Sequence, residues 1–319
     1  VAVFIRHFTF AQYPMCAQLH YQLKNLCFKE IFDDNKYDLR YLGGMKNQKP
    51  KKSFKSAPSS NRDNANSKPW EKAARSNKKP INRINADANG LWFWGIHAVE
   101  AAIKNPNREV LEIMATKNAA SHLPANTKSK IVDPEDLTDF LPQGAVHQGI
   151  AARLKPLPDP DYDKALEGGK FVFILDQLTD PQNIGSIFRT AAAFGASAVI
   201  QQDRKAPPIT GALAKAAQGG VEIVADLRVV NISQTIVDLS EQGWCAIGLD
   251  MAENSPSLAK AIEGEKRPIA IVLGAEGKGL RQLVSERCDC IAHIPMPGQM
   301  ESLNVSNAAA IAAYEICRK

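Results

Sequence analysis

"LDQLTDPQNIGSIFRTAAAFGAS", residues 175–197, is the stretch on which the reading of the fold turns. An apolar run from Phe171 to Leu175 ends on Asp176, and a polar turn follows through Asp180, Pro181 and Asn183. Beyond it comes a helix rich in small residues, with one cation, Arg189, in its middle. A continuous apolar run that hands over to a helix through an Asp-Pro turn reads as a strand buried on both faces and the helix that covers it. Taken alone, Asn183 reads as a helix cap and Arg189 as part of a solvated face.

The same alternation continues downstream. Strands are expected at "FVFILD", "SAVIQ", "VEIVAD", "WCAIGLD", "PIAIVLG" and "CIAHIPM", with helices near residues 184–194, 210–217, 231–242, 278–287 and 303–318. Strands this uniformly apolar predict an α/β fold on a parallel sheet. Ligands of such sheets sit at the carboxyl ends of the strands, and three loops there are unusual: "DQLTDPQNIG", "GAEGKGL" and "PMPGQMESLNVSNAAA". No G-x-G-x-x-G follows the first strand, which disfavours a dinucleotide site, and "LGAEGKG" lacks the remaining glycine and the Ser/Thr of a P-loop. The absence of G-x-S-x-G excludes a hydrolase nucleophile elbow.

Upstream, residues 90–154 read as a small α/β unit: a helix from Ile96, a strand at "VLEIMATKN", a strand end and helix start at "IVDPEDLTDFLP", and a strand at "VHQGIAARLKP". Residues 155–169, rich in Pro, Asp and Gly, read as a linker to a domain spanning 170–319. His97 and His147 are expected to be structural. Residues 1–89 are expected to be a disordered extension and tail. Twelve Lys and Arg stand between Lys46 and Ile84 against two acids, so the net charge of +5 is a property of this tail. Its Lys, Asn, Ser and Pro cannot bury enough apolar surface to fold. It is either a phosphate-neutralising arm or a solubilising tail. Residues 1–44, of different composition, read as an upstream in-frame extension. The six cysteines, at 16, 27, 245, 288, 290 and 317, show one C-x-C pair and no second pair at metal spacing, so no metal is expected and reduced thiols in a cytoplasm are the reading. No apolar run reaches the length of a membrane span.

The three loops resemble, in order and spacing, the three motifs of the SpoU (TrmH) branch of the SPOUT methyltransferases: "NIGSIFRTAAAFG" from Asn183, "LGAEGKG" from Leu273, and "IPMPGQMESLNVSN" from Ile294. With "GIHAV" and "HQGIAA" before them, they resemble the RlmB subgroup, which methylates a ribose 2′-hydroxyl of a guanosine in 23S ribosomal RNA. The resemblance implies an α/β-knot fold, with a deep C-terminal trefoil knot, preceded by a ribosomal-protein-like RNA-binding domain. It implies S-adenosylmethionine as cofactor, held by Gly274, Ile294 and Leu303, and ribosomal RNA as partner. Asn183, Arg189, Glu276, Ser302 and Asn304 match the polar catalytic positions. Arginine almost never gives up its proton, so a phosphate clamp suits Arg189 better than a base. Glu276 either orients Arg189, the reading we favour, or acts as base. Asn183 and Arg189, six residues apart, converge only if Asn183 lies outside the first helical turn. Alternatives are a transfer RNA or resistance-type ribosomal RNA methyltransferase of the same family, or an inactive RNA-binding protein. The resemblance also implies a homodimer through the last helix, in which crowding Ala309 or Ala313 would loosen the contact.

Overall fold

The computed structural model describes residues 90–252 and 254–318. The expectations for residues 1–44 and for the basic arm lie outside the described residues.

The chain first builds a four-stranded sheet from β1 (Leu91–Trp94), β2 (Val110–Ala115), β3 (Lys130–Ile131) and β4 (Ile150–Leu154), in the order β1-β4-β2-β3. Its helices are α1 (Ile96–Lys104), α2 (Lys117–Ala120) and α3 (Pro134–Thr138). Then comes a six-stranded sheet of β5 (Phe171–Asp176), β6 (Ala198–Gln202), β7 (Ala225–Val229), β8 (Cys245–Leu249), β9 (Ile269–Gly274) and β10 (Cys290–Ala292). Its order is β10-β8-β9-β5-β6-β7 and every pairing is parallel. The accompanying helices are α4 (Tyr162–Leu166), α5 (Pro181–Phe194), α6 (Gly211–Ala217), α7 (Gly220–Ile223), α8 (Ile232–Glu241), α9 (Leu258–Ile262), α10 (Gln282–Ser285) and α11 (Val305–Arg318).

The opening stretch does what its pattern predicts. All six residues of β5 are buried, with Phe171, Phe173 and Leu175 in one core layer and Val172 and Ile174 in the other. The Asp180 side chain accepts from the backbone N–H groups of Gln182 and Asn183, Pro181 opens α5, and Gly195 in the left-handed region (φ 76°) ends it. The cap is therefore Asp180, and Asn183 is released for other work. Small residues on α5 let its neighbours close in: a Cβ on Gly185 would stand 2.5 Å from the Leu213 carbonyl oxygen of α6.

Three features depart from expectation. "VEIVAD" is not one strand: residues 220–223 form α7 and the strand begins at Ala225. Gly219, at φ 95°, turns the chain, and Gly220 lies so close to α5 that a Cβ would meet the Phe188 carbonyl oxygen at 2.5 Å. Packing there overrides the β-propensity of Val221 and Ile223. Next, Ala309, Ala312 and Ala313 of α11 are fully buried inside the chain, so crowding them acts on the core of this chain first. The exposed apolar side chains of α11 are Ile311 and Tyr314. Finally, α4 forms within residues 155–169, and its Leu166 is buried in the core layer of Val172 and Ile174.

The two sheets share buried apolar contacts, a single layer running from Phe93, Val99 and Ile150 to Phe171, Ile187 and Leu213. Beside it, Arg108 forms a bidentate ion pair with Glu222 of α7 (Nη2–Oε1 2.6 Å, Nε–Oε2 3.1 Å) with both side chains 3% exposed. Arg108 also donates to the Lys155 carbonyl oxygen and lies over the Phe93 ring, and Asn105 donates to Glu222. Cys245, Cys288, Cys290 and Cys317 are free thiols, and burial pushes those of Cys245 and Cys288 up to about 12. Among the described residues no group of three or more His, Cys, Asp or Glu could hold a metal ion, and no helix is long and apolar enough to cross a membrane.

Candidate active site

Register brings the three unusual loops level. Leu273 of β9 pairs with both Leu175 and Leu249, and Leu249 pairs in turn with Ala292. The carboxyl ends of β5, β9, β8 and β10 therefore finish side by side, where a parallel sheet presents its ligand site.

Three side chains, one from each loop, meet there. Asn183 Nδ2 donates to Glu276 Oε1 at 2.7 Å. Asn304 Nδ2 donates to the same oxygen at 3.2 Å and to Asn183 Oδ1 at 2.9 Å. Asn304 Oδ1 accepts from the Ser306 N–H and hydroxyl, at 2.8 and 2.6 Å. The arrangement is self-consistent, because a carboxylate only accepts and so draws both amide nitrogens toward it. Asn183 lies in the first turn of α5, and Asn304 precedes the first residue of α11. Two helix N-termini thus converge on one carboxylate, where their dipoles favour negative charge. Glu276 Oε2 has no hydrogen-bond partner among the described residues and stays open.

The loop bearing Glu276 is held at its base. Asp176, fully buried at the end of β5, accepts from the Arg281 backbone N–H at 3.1 Å and from Arg281 Nε at 2.8 Å. Asp250, just beyond β8, accepts from the Leu280 N–H at 3.3 Å. Between these anchors the loop folds back on itself, with Ala275 bridged to Gly279. A Cβ on Gly274 would stand 2.2 Å from the Gly279 carbonyl carbon, so glycine is required there for loop closure as well as for any close approach of a ligand. Asp176, Asp250 and Arg281 were not picked out from the sequence. The one available signal was an aspartate closing a run of buried apolar residues.

The remaining site candidates fall outside this junction. Because Asn183 lies inside the first turn, Arg189 points away from it. The Arg189 side chain is exposed and has no hydrogen bond or ion pair among the described residues. Glu276 holds the two asparagines and does not touch Arg189, which removes the role of orienting that side chain. Ser302 is exposed without a hydrogen-bond partner, Ile294 is half-buried and Leu303 is 39% exposed. Among the described residues, no backbone–backbone hydrogen bond involves residues 294–303. A segment offering free backbone donors and acceptors beside part-exposed apolar side chains fits a nucleoside with an amino-acid tail.

Comparison with known proteins decides the family. The profile of the SpoU rRNA Methylase family matches residues 170–314, and that of the RNA 2′-O ribose methyltransferase substrate binding domain matches residues 92–160. A relative from Staphylococcus aureus, described as a TrmH family tRNA/rRNA methyltransferase, is 38% identical over 70% of this chain and 94% of its own. The chain belongs to the SpoU family. A second relative, from Staphylococcus saprophyticus and likewise described as a TrmH family tRNA/rRNA methyltransferase, is 37% identical over the same shares. Two solved structures are similar. The methyltransferase AviRb of Streptomyces viridochromogenes, in complex with AdoMet, has a TM-score of 0.60 at 22% identity, covering 72% of this chain and 90% of its own. The AdoMet-bound rRNA methyltransferase of Sinorhizobium meliloti has a TM-score of 0.60 at 22% identity, covering 72% and 87%. At that identity they speak for the fold alone, an α/β fold on a parallel sheet.

Proposed function

We propose that this SpoU chain transfers a methyl group from S-adenosylmethionine to the ribose 2′-hydroxyl of a guanosine in 23S ribosomal RNA. The observation that carries the reading is the junction of Asn183, Glu276 and Asn304, which joins three loops, the outer two 121 residues apart in sequence, at the carboxyl edge of the sheet.

The residues present fit the cofactor. Gly274, Ile294 and Leu303 would hold it, with the backbone of residues 294–303 meeting its polar groups. Bound there, S-adenosylmethionine supplies a methyl group on a cationic sulfur. The rest of the chemistry belongs to the chain. Glu276 Oε1 is tied by two amide donors, so the carboxylate is fixed in place with Oε2 free to accept the 2′-hydroxyl hydrogen bond and take its proton. Asn183 and Asn304 position that carboxylate, and Ser302, exposed on the same loop as Asn304, would contact the RNA backbone. Arg189, six residues along α5 and so about 9 Å from Asn183 along the helix axis, suits a phosphate of the same RNA strand.

Further parts of the reading follow the same family. The last third of the chain would be threaded as a trefoil knot, with α11 returning from the edge strand β10 to pack on α5. Two copies would pair through the exposed Ile311 and Tyr314 side of α11. The small sheet would be the RNA-binding domain, and the cytoplasm the place of work. The test is transfer of radiolabelled methyl from S-adenosylmethionine to purified 23S rRNA and to bulk tRNA, with the modified nucleotide then mapped. Label on the 2′-oxygen of a guanosine in 23S rRNA is expected. Label on tRNA alone would move the substrate, and none on either RNA would overturn the reading.

A further inference from the structure

The small sheet carries a cavity of about 340 Å³ that the methyl-transfer chemistry does not use. Its size lies at the small end of ligand sites, roughly 300–1,000 Å³, which suits one flat ring and its sugar and excludes a helix or a duplex. Four segments meet around it: the first turn of α1, α2 with the residues that flank it, the start of α3, and the loop from His147 to Gly149 that enters β4.

The cavity is held by backbone geometry and two side chains. Gly149 sits at φ 76°, and a Cβ there would stand 2.5 Å from Thr116 Oγ1, so the loop reaches α2 only as glycine. Gln148 Oε1 accepts from the Ile96 N–H at 3.1 Å and so caps α1 from across the cavity. The Gly149 N–H donates to His147 Nδ1 at 3.1 Å, which leaves the ring proton on Nε2 as a donor. Ile96, Ala119 and Pro134 provide apolar wall. Asn118 and His122 are exposed at the lining, and neither side chain has a hydrogen-bond partner among the described residues.

This combination selects a chemistry. Apolar walls take the faces of a planar ring. An unpaired amide and two imidazoles offer both donors and acceptors to its edge, as base recognition on single-stranded RNA requires. Charge sets the orientation. His122 lies near the Glu100 carboxylate, and Glu135 and Asp136 follow Pro134, so an anion deep in the cavity is disfavoured. Cations stand outside it: Lys117 is exposed on α2, and the Lys215 side chain lies 3.6 Å from where a Cβ on Gly95 would be, next to Ile96. We propose that this cavity holds one unstacked nucleotide of the RNA substrate, with its base between the α1 and α2 starts and its phosphate toward Lys117 and Lys215. The proposal rests on the reading of RNA as the substrate and adds where the small sheet grips it.

Ultraviolet crosslinking of the full chain to unmodified 23S rRNA tests it directly. After nuclease and trypsin, nucleotide adducts are expected on the peptides at residues 118–128 or 131–153. Adducts confined to residues 170–318 would overturn the proposal. Binding gives an independent readout. Asn118→Ala with His122→Ala should weaken rRNA affinity about tenfold at fixed salt, the scale of a lost base contact, and leave the salt dependence unchanged. Lys117→Ala with Lys215→Ala should flatten that salt dependence instead. S-adenosylmethionine affinity and the melting temperature of the Asn118/His122 double variant should match the parent protein. Unaltered rRNA affinity in that variant would sink the cavity while leaving methyl transfer standing. A parent protein that crosslinks through the cavity yet transfers no methyl would sink the reaction and support the cavity.

Discussion

At the scale of single residues, the site was legible where a loop resembles a known motif and hidden where it depends on distant pairing. Asn183, Glu276 and Asn304 were singled out through the resemblance of their loops to the SpoU motifs, and they do meet. That Asp176 grips Arg281, 105 positions away, leaves no local trace. Nor could the sequence tell that Asp180 caps α5 and sets Asn183 free, because either residue is a good cap. Glu276 is the first residue to test. Glu276→Gln keeps the shape but replaces an acceptor oxygen by a donor, so it loses proton acceptance and sets an N–H against the amide donors. Turnover should fall roughly 100-fold or more, the scale on which a positioned base contributes, while S-adenosylmethionine still binds. Near-parental turnover in Glu276→Gln would remove the carboxylate as proton acceptor. Arg189 gives a contrasting expectation. As it stands free of the junction, Arg189→Ala should weaken RNA binding and leave cofactor affinity alone, and Arg189→Lys should recover part of the loss because charge survives without the planar fork. An Arg189→Ala protein with parental rRNA affinity and turnover would show that its charge serves neither.

At the scale of elements, the pattern of continuous apolar strands located nearly every strand of the large sheet, and its failures have one cause. A run such as "VEIVAD" carries the same β-branched signal whether it enters a sheet or packs as a helical turn. Gly219 and Gly220 decide it through contacts with α5 that no window of neighbours contains. The last helix repeats the lesson. Its alanines suggested a surface for close approach, and the close approach is made within the chain, with Ala309, Ala312 and Ala313 buried in the layer shared with α5 and β9. Ala309→Leu should therefore destabilise the fold itself by about 1–3 kcal/mol, read as a lower urea midpoint. Tyr314→Asp, on the exposed side of the same helix, should leave the midpoint of the single chain near parental and shift a dimer toward monomer in sedimentation. Should Ala309→Leu lower only the association constant and leave the urea midpoint unmoved, its burial within the chain would be wrong.

At the scale of the whole molecule, composition marked a boundary near residue 155 that the core does not respect. A Pro-, Asp- and Gly-rich stretch reads as a linker, yet the apolar layer is continuous from Phe93 to Ala313 and α4 buries Leu166 under the large sheet. Composition registers how polar a segment is and is blind to what packs on either side of it. The basic tail is the opposite case, since its charge is plain in the sequence. A chain starting at Asn89 should methylate the same nucleotide with the same cofactor affinity but lose rRNA affinity less steeply with salt, because phosphate contacts release counterions. An unchanged salt slope would make the tail a solubility device. The shared core carries the last prediction. If the small and large sheets form one cooperative unit, that shortened chain should melt in a single calorimetric transition. The Arg108–Glu222 pair tests what couples them. Removing one partner strands a buried charge and should cost about 3–5 kcal/mol, whereas replacing both with apolar residues should recover much of it. Arg108→Met and Glu222→Leu should each lower the melting temperature, and the double variant should lie well above the sum of the two losses. Strictly additive losses, or a parental chain that melts in two separate steps, would mean that the two sheets are held apart in energy even where they touch.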